Sequence, residues 1–136
     1  MTSRGILPVQ DIREAAEAGM ISAVTPITER QMQPASLDLR LGSRAWRVQS
    51  SFLPGAEMRV EDKLVRLAMH QIDLAGGAVL ERGCVYIVEL QERLALQSDV
   101  SAMANPKSST GRLDIFTRLI TDGALEFETV AAGYQG

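Results

Sequence analysis

Lys107, Ser108, Ser109 and Arg112 lie within six residues of one another in the stretch "ANPKSSTGRLDIFTRLITDG", residues 104 to 123. Two adjacent hydroxyls between two cations suit an anion with several oxygens. If a helix begins at Ser108, its hydroxyl and the first free backbone N–H groups face one spot, where the helix dipole also favours negative charge. Arg112 follows Ser108 by one turn, so both can project to that side. Lys107 adds a mobile point charge and Arg112 a planar fork matched to phosphate oxygens. Hydrogen bonds to charged groups contribute about 1.5–3 kcal/mol each, enough together to select a polyphosphate. Gly111 leaves no side chain where such a ligand would lie close. A plain capped helix with solvated basic residues fits the same letters, and spacing alone leaves the two readings level.

Other chemistries lack their residues. The chain has one histidine, His70, and one cysteine, Cys84. A zinc site normally takes three or four His, Cys or acidic ligands, so no zinc is expected, and the zinc-deaminase signature is absent. A Ser-His-Asp hydrolase would have to use His70, which has no nucleophile elbow near it and reads as a surface or hydrogen-bonded core residue. Neither a Walker loop nor G-x-G-x-x-G occurs. Cys84, in the apolar run "GCVYIV", reads as a small buried hydrophobe rather than a nucleophile.

The elements that must hold the serine-cation group come from a chain of 136 residues, long enough for one domain, 1–136, with its own core. A net charge of -3 argues against general affinity for nucleic acid or an anionic membrane, so an anionic ligand must be held by a local arrangement. The single cysteine fits a reducing cytoplasm. No apolar run approaches the ~20 residues of a membrane-spanning helix, and the early polar residues Gln10 and Asp11 argue against a signal peptide.

"LPVQDIREAAEAGM" reads as an N-terminal amphipathic helix, with Pro8 in its first turn, Gly19 just past its end, and Ile12, Ala15 and Ala16 facing the core. "SLDLRLGSRAWRV" then alternates Leu37, Leu39 and Leu41 against polar residues, the period of a half-buried strand. "AVLERGCVYIVEL" reads as a hairpin turning at Glu81-Arg82-Gly83. Further strands are expected near 58–60, 72–74, 99–104 and 125–130. Many short strands, the N-terminal helix and one short internal helix predict an all-β sandwich, barrel or jelly roll. Trp46 reads as a core or interface aromatic, or else a base-stacking one. Arg40, Arg44 and Arg47 read as a solvated face, or in an oligomer as reaching a neighbour, with Asp38 and Arg40 able to pair across subunits.

"QPASLDLRLG" (33–42), "NPKSSTGRLDIFTRLITD" (105–122) and the terminal "GYQG" together resemble the dCTP deaminases of the dUTPase superfamily, most closely their long bacterial form. The resemblance runs over most of the chain and keeps the order of the motifs. It implies a distorted β-barrel or jelly roll, a trimeric or pseudo-trimeric assembly with sites at subunit interfaces, and hydrolytic deamination of dCTP to dUTP and ammonia. Magnesium would come bound to the triphosphate. The triphosphate motif of such enzymes maps onto Lys107, Ser108, Ser109 and Arg112, with lysine in place of the usual first arginine. Glu128 is the nearest match to their sugar-contacting acid, with Asp122 as competitor, and Tyr134 stands in the Gly-aromatic-x-Gly turn. Their proton-shuttling glutamate lies on the strand after that turn. The resemblance therefore implies a chain that is incomplete at its C-terminus, lacks this glutamate and is inactive alone. A dUTP or dCTP pyrophosphatase of the same fold, and a non-catalytic nucleotide-binding or assembly module, are the alternatives.

Overall fold

The computed structural model describes residues 5–136. The first helix, α1, spans Val9–Glu17 and starts after Pro8, whose carbonyl accepts the Ile12 N–H at 3.1 Å. It ends in a left-handed Gly19 (φ +79°). Gly19 N–H donates to Ala16 O and Met20 N–H to Ala15 O. That paired closure satisfies carbonyls that would otherwise be orphaned, and it drops Met20 beside Ala15. Ala15, Met20, Leu96 and Val130 form the buried cluster, with Ile21, Leu94, Val100, Leu119 and Tyr134 packed around it. Ile12 and Ala15 are buried as expected, whereas Ala16 is only half-buried.

Strand β1 (Ile21–Ala23) pairs antiparallel with β7 (Glu92–Leu94). After a 3-10 turn at Glu29–Gln31 come β2 (Met32–Gln33) and β3 (Ser36–Leu37), a tight antiparallel pair. The long strand β4 (Leu41–Val48) is the centre of a three-stranded antiparallel sheet, flanked by β5 (Ala68–Asp73) and β6 (Val85–Leu90). Ala45, fully buried, sits in register between Ile72 and Val88. Gly42 is required by a close approach: a Cβ there would meet Glu89 Cγ at 2.6 Å. The Glu89 side chain folds over that gap and accepts the Arg44 N–H at 3.1 Å, where the β4–β6 register slips. Between β5 and the end of β4 lies α2 (Val60–Leu67); β8 (Ala102–Met103) pairs with β9 (Thr129–Val130), and α3 (Ser108–Gly111) falls between those two. The last residues run beside β7, with Leu94 N–H donating to Gly136 O at 2.7 Å and Leu96 N–H to Tyr134 O at 2.9 Å.

Strands dominate, as the sequence predicts, but several local readings fail. Residue 60 opens helix α2 rather than ending a strand. Val60, Leu64 and Leu67 carry a helical period, Glu61 and Asp62 suit the first turn, and Leu64 is buried. The internal helices are therefore two, not one. The Leu37–Leu41 alternation does not bury one face: Leu39 and Leu41 are exposed. The strand breaks at Asp38, whose N–H and carbonyl are taken by Gln31, and Arg40 N–H goes to the Glu92 carboxylate. Residues 78–80 form no hairpin arm, and β6 pairs instead with β4. The turn at Gly83 (φ +77°) exists, but Val79 and Leu80 are exposed.

Candidate phosphate-binding site

Helix α3 begins at Ser108 as expected, with Lys107 extended at its cap. It is a single turn, so its dipole adds little, and an anion there would rest on hydroxyls, cations and free N–H groups. Ser108 and Ser109, as the first helical residues, have N–H groups without an intrahelical acceptor. Both serines and Arg112 are exposed, and among the described residues Arg112 forms no ion pair. A Cβ on Gly111 would meet nothing within 4 Å, so the protein itself does not need the glycine for space. The structure thus presents the four residues together on an open surface. Lys107 has a partner that the sequence did not reveal. Its ammonium pairs with the Asp38 carboxylate.

The three remaining candidates stand apart from that group. Asp122 accepts the Val60 N–H at 2.7 Å, which places it at the start of α2, and Arg59 Nε lies 3.5 Å from its second oxygen. Asp122 N–H in turn donates to the Tyr134 hydroxyl at 3.3 Å. Burial pushes the Tyr134 phenol above its usual range, the Asp122 N–H bond opposes that, and the Asp122 charge reinforces it. Glu128 adopts a left-handed backbone (φ +65°), uncommon for a residue with a side chain. Leu119 holds it there: Glu128 N–H donates to Leu119 O at 3.0 Å, and Leu119 N–H donates to the Glu128 carboxylate at 3.2 Å. Arg118 pairs with the same carboxylate while its guanidinium lies over the Phe127 ring. Ala104 N–H donates to Glu128 O, which brings Glu128 beside the strand leading into Lys107. No side-chain hydrogen bond or ion pair joins Lys107, Ser108, Ser109 or Arg112 to Asp122, Glu128 or Tyr134 among the described residues.

The arginines on β4 do not form a free basic face. Arg40, just before the strand, binds Glu92 at 2.8 Å and also reaches Thr25 and Pro26; Arg44 binds Glu89 at 2.8 Å, and Arg47 binds Glu81 at 2.7 Å. Within the chain, Asp38 pairs with Lys107 and Arg40 with Glu92. Trp46 is half-buried under the Arg44 guanidinium, 5.3 Å from its centroid. Cys84 is half-buried rather than core, and Arg47 Nη2 donates to its sulfur at 3.1 Å. His70 is exposed on β5. Among the described residues no three His, Cys, Asp or Glu side chains converge as a metal cage, and no helix is long and apolar enough to cross a membrane.

Residues 3–136 match the family model for the 2'-deoxycytidine 5'-triphosphate deaminase (DCD) N-terminal domain. The chain belongs to that family. Within the dCTP deaminases it is 33% identical over 113 residues to a dCTP deaminase of Haloarcula marismortui, covering 81% of this chain and 57% of that protein. It is 32% identical over 127 residues to a dCTP deaminase, dUMP-forming, of Methanothermobacter thermautotrophicus, covering 89% and 61%. The crystal structure of 2'-deoxycytidine 5'-triphosphate deaminase from Agrobacterium tumefaciens superposes with a TM-score of 0.93 at 58% identity, over 97% of this chain and 39% of that one. The chain thus spans about half the length of the curated relatives it matches and less of the solved deaminase.

Proposed function

We propose that this chain supplies the triphosphate-gripping part of an enzyme that deaminates dCTP to dUTP and ammonia. The observation that carries the reading is the open cradle at Lys107–Arg112: two hydroxyls, an unpaired guanidinium and free N–H groups on one exposed turn, in a member of the dCTP deaminase family. Ser108 and Ser109 donate to phosphate oxygens, Arg112 engages them through its fork, and Lys107 adds a point charge. Asp122, Glu128 and Tyr134 are the nucleoside-contacting candidates. Tyr134 keeps its proton at neutral pH and can donate. Magnesium would be held by the oxygens of the triphosphate and would neutralise part of their charge.

Deamination needs a carboxyl that holds a proton near neutrality to serve cytosine N3. Glu29, Glu89 and Glu92 are shifted the other way, below the usual range, and no residue of this chain is assigned the proton-shuttle role. The assembly in which the cradle works is a trimer or pseudo-trimer of the jelly-roll kind, in the cytoplasm. The surface supports association, without choosing its stoichiometry or compartment. The chain exposes 9594 Å², against about 7,000 Å² for a compact monomer of its mass.

A second reading has one observation in its favour: several relatives carry the name dUMP-forming. Under it a second water cleaves the triphosphate and diphosphate leaves. Titration calorimetry of this chain with dCTP tests the grip that both readings share; release of ammonia alone, against ammonia with diphosphate, separates them in an assembly that supplies the proton-shuttling carboxyl. Binding that falls at least tenfold in Arg112→Ala supports the cradle. Unchanged affinity in that variant sinks it.

A further inference from the structure

The segment that carries the cradle is tied to the rest of the protein by one polar contact. Among the described residues, the backbone hydrogen bonds from Asn105 to Thr117 stay inside the segment. Its side chains make one ion pair among the described residues, Lys107 to Asp38. The two partners are held very differently. Asp38 is fixed by its own N–H on Gln31 O at 2.8 Å, by Gln31 Nε2 on its carbonyl at 2.9 Å and by Gln33 Nε2 on its carboxylate at 3.3 Å. Gln31 is itself buried and hydrogen-bonded to the buried Glu92 at 2.9 Å. Lys107 sits on a flexible stem at the edge of a one-turn helix with no buried residue. One side of the contact is rigid and the other is free to leave.

We propose that Asp38 is an internal anion that occupies Lys107 until a phosphate tail displaces it, an autoinhibitory contact within the cradle. The inference rests on the reading of Lys107–Arg112 as a phosphate cradle. Carboxylate and phosphate compete for the same ammonium. Any ligand that uses Lys107 must first break the pair, and afterwards it lies near the Asp38 charge. A single phosphate gains little by replacing one oxygen ligand of Lys107 with another. A triphosphate adds Ser108, Ser109 and Arg112 at the same time and overcomes the exchange. Asp38 thereby sets a threshold that weak, singly phosphorylated anions fail to reach.

The test is calorimetry of the 136-residue chain with inorganic tripolyphosphate, on the wild type, Asp38→Asn, Lys107→Ala and the double variant. Thermal melting confirms folding, and Asp38→Ala serves as a second removal of the charge. An exposed ion pair is weak, so Asp38→Asn should tighten binding by roughly two- to fivefold. In the Lys107→Ala background the gain should disappear. Hydrogen exchange of residues 105–117 in the ligand-free protein should rise in both single variants. Tripolyphosphate binding that is unchanged or weaker in Asp38→Asn overturns the proposal alone. A gain that persists without Lys107 also overturns it, since the effect would then be general charge. Absence of tripolyphosphate binding in every variant overturns the cradle reading and the competition with it.

Discussion

The carboxylate of Asp122 caps a helix that begins 62 residues earlier, accepting the N–H of Val60 at 2.7 Å. The first N–H groups of a helix have no partner within it, and an acid there also meets the positive end of the dipole. The contact ties α2 to the segment that precedes β9. Gly123 N–H adds a second tie by donating to Met58 O at 2.9 Å.

That cap gives Asp122 a measurable structural task. Asp122→Ala should cost about 1 kcal/mol and lower the melting temperature by about 3–5 °C. Asp122→Asn, which keeps an acceptor, should cost less than half of that. If Asp122 also contacts the sugar, dCTP affinity will fall further in the alanine variant than the lost stability accounts for. Comparing melting curves with calorimetry at saturating protein stability separates the two roles.

Glu92 is the most deeply committed acid, with a side chain 2% exposed. One oxygen receives Arg40 Nε and Gln31 Nε2, and the other receives the Arg40 N–H. Through Arg40 the node reaches Thr25 and Pro26, so it joins the loop after β1, the 3-10 turn, the entry to β4 and β7 itself. Glu92→Ala should destabilise the protein by about 3 kcal/mol, because buried donors and a guanidinium lose their acceptor. Chemical denaturation of the variant and wild type measures this. A loss under about 1 kcal/mol would mean that the node is dispensable.

The same node sets an acid limit. Burial pushes the Glu92 carboxyl up, but hydrogen bonds from Arg40 and Gln31 outweigh it and hold the group below the usual range. A carboxyl lowered by folding contributes stability that is present above its unfolded value, about 4.3, and is lost as pH falls through the folded value. Stability of the wild type should be flat from about pH 8 to pH 5 and then decline. In Glu92→Gln the decline below about pH 4.5 should be shallower. Equal acid slopes in the two proteins would assign the transition to other groups.

The sequence disclosed those features that depend on local chemistry. The N-terminal helix follows from Pro8, the alanines and Gly19, each of which acts within one turn. The serine-cation group was visible because its members are adjacent in sequence. What stayed hidden depends on partners far along the chain. Asp38 meets Lys107 across 69 residues and Arg40 meets Glu92 across 52, and no spacing rule signals either pair. The Leu37–Leu41 alternation misled because side-chain and backbone groups of Gln31 and Glu92 capture the backbone at 38 and 40. Helix α2 carries its own signal in the period of Val60, Leu64 and Leu67, which the short stretch 58–60 taken alone does not contain.

Exposed apolar residues on both sides of the cradle are positioned for assembly. Met103, Leu113 and Phe116 are 75%, 72% and 92% exposed, and among the described residues no large side chain is fully buried. Such apolar exposure beside a surface about 2,600 Å² larger than expected exceeds the share that one partner buries in a standard interface. The chain should therefore self-associate in the micromolar range, seen by sedimentation velocity as a concentration-dependent shift. Burying one such side chain contributes about 1.5–3 kcal/mol, so Leu113→Ser with Phe116→Ser should weaken association by at least tenfold. Neither side chain packs in the core, so melting of the dilute protein should change little. A double variant that assembles as the wild type does would remove these two side chains from the interface and leave the excess surface to the exposed residues elsewhere, Val79 and Leu80 among them.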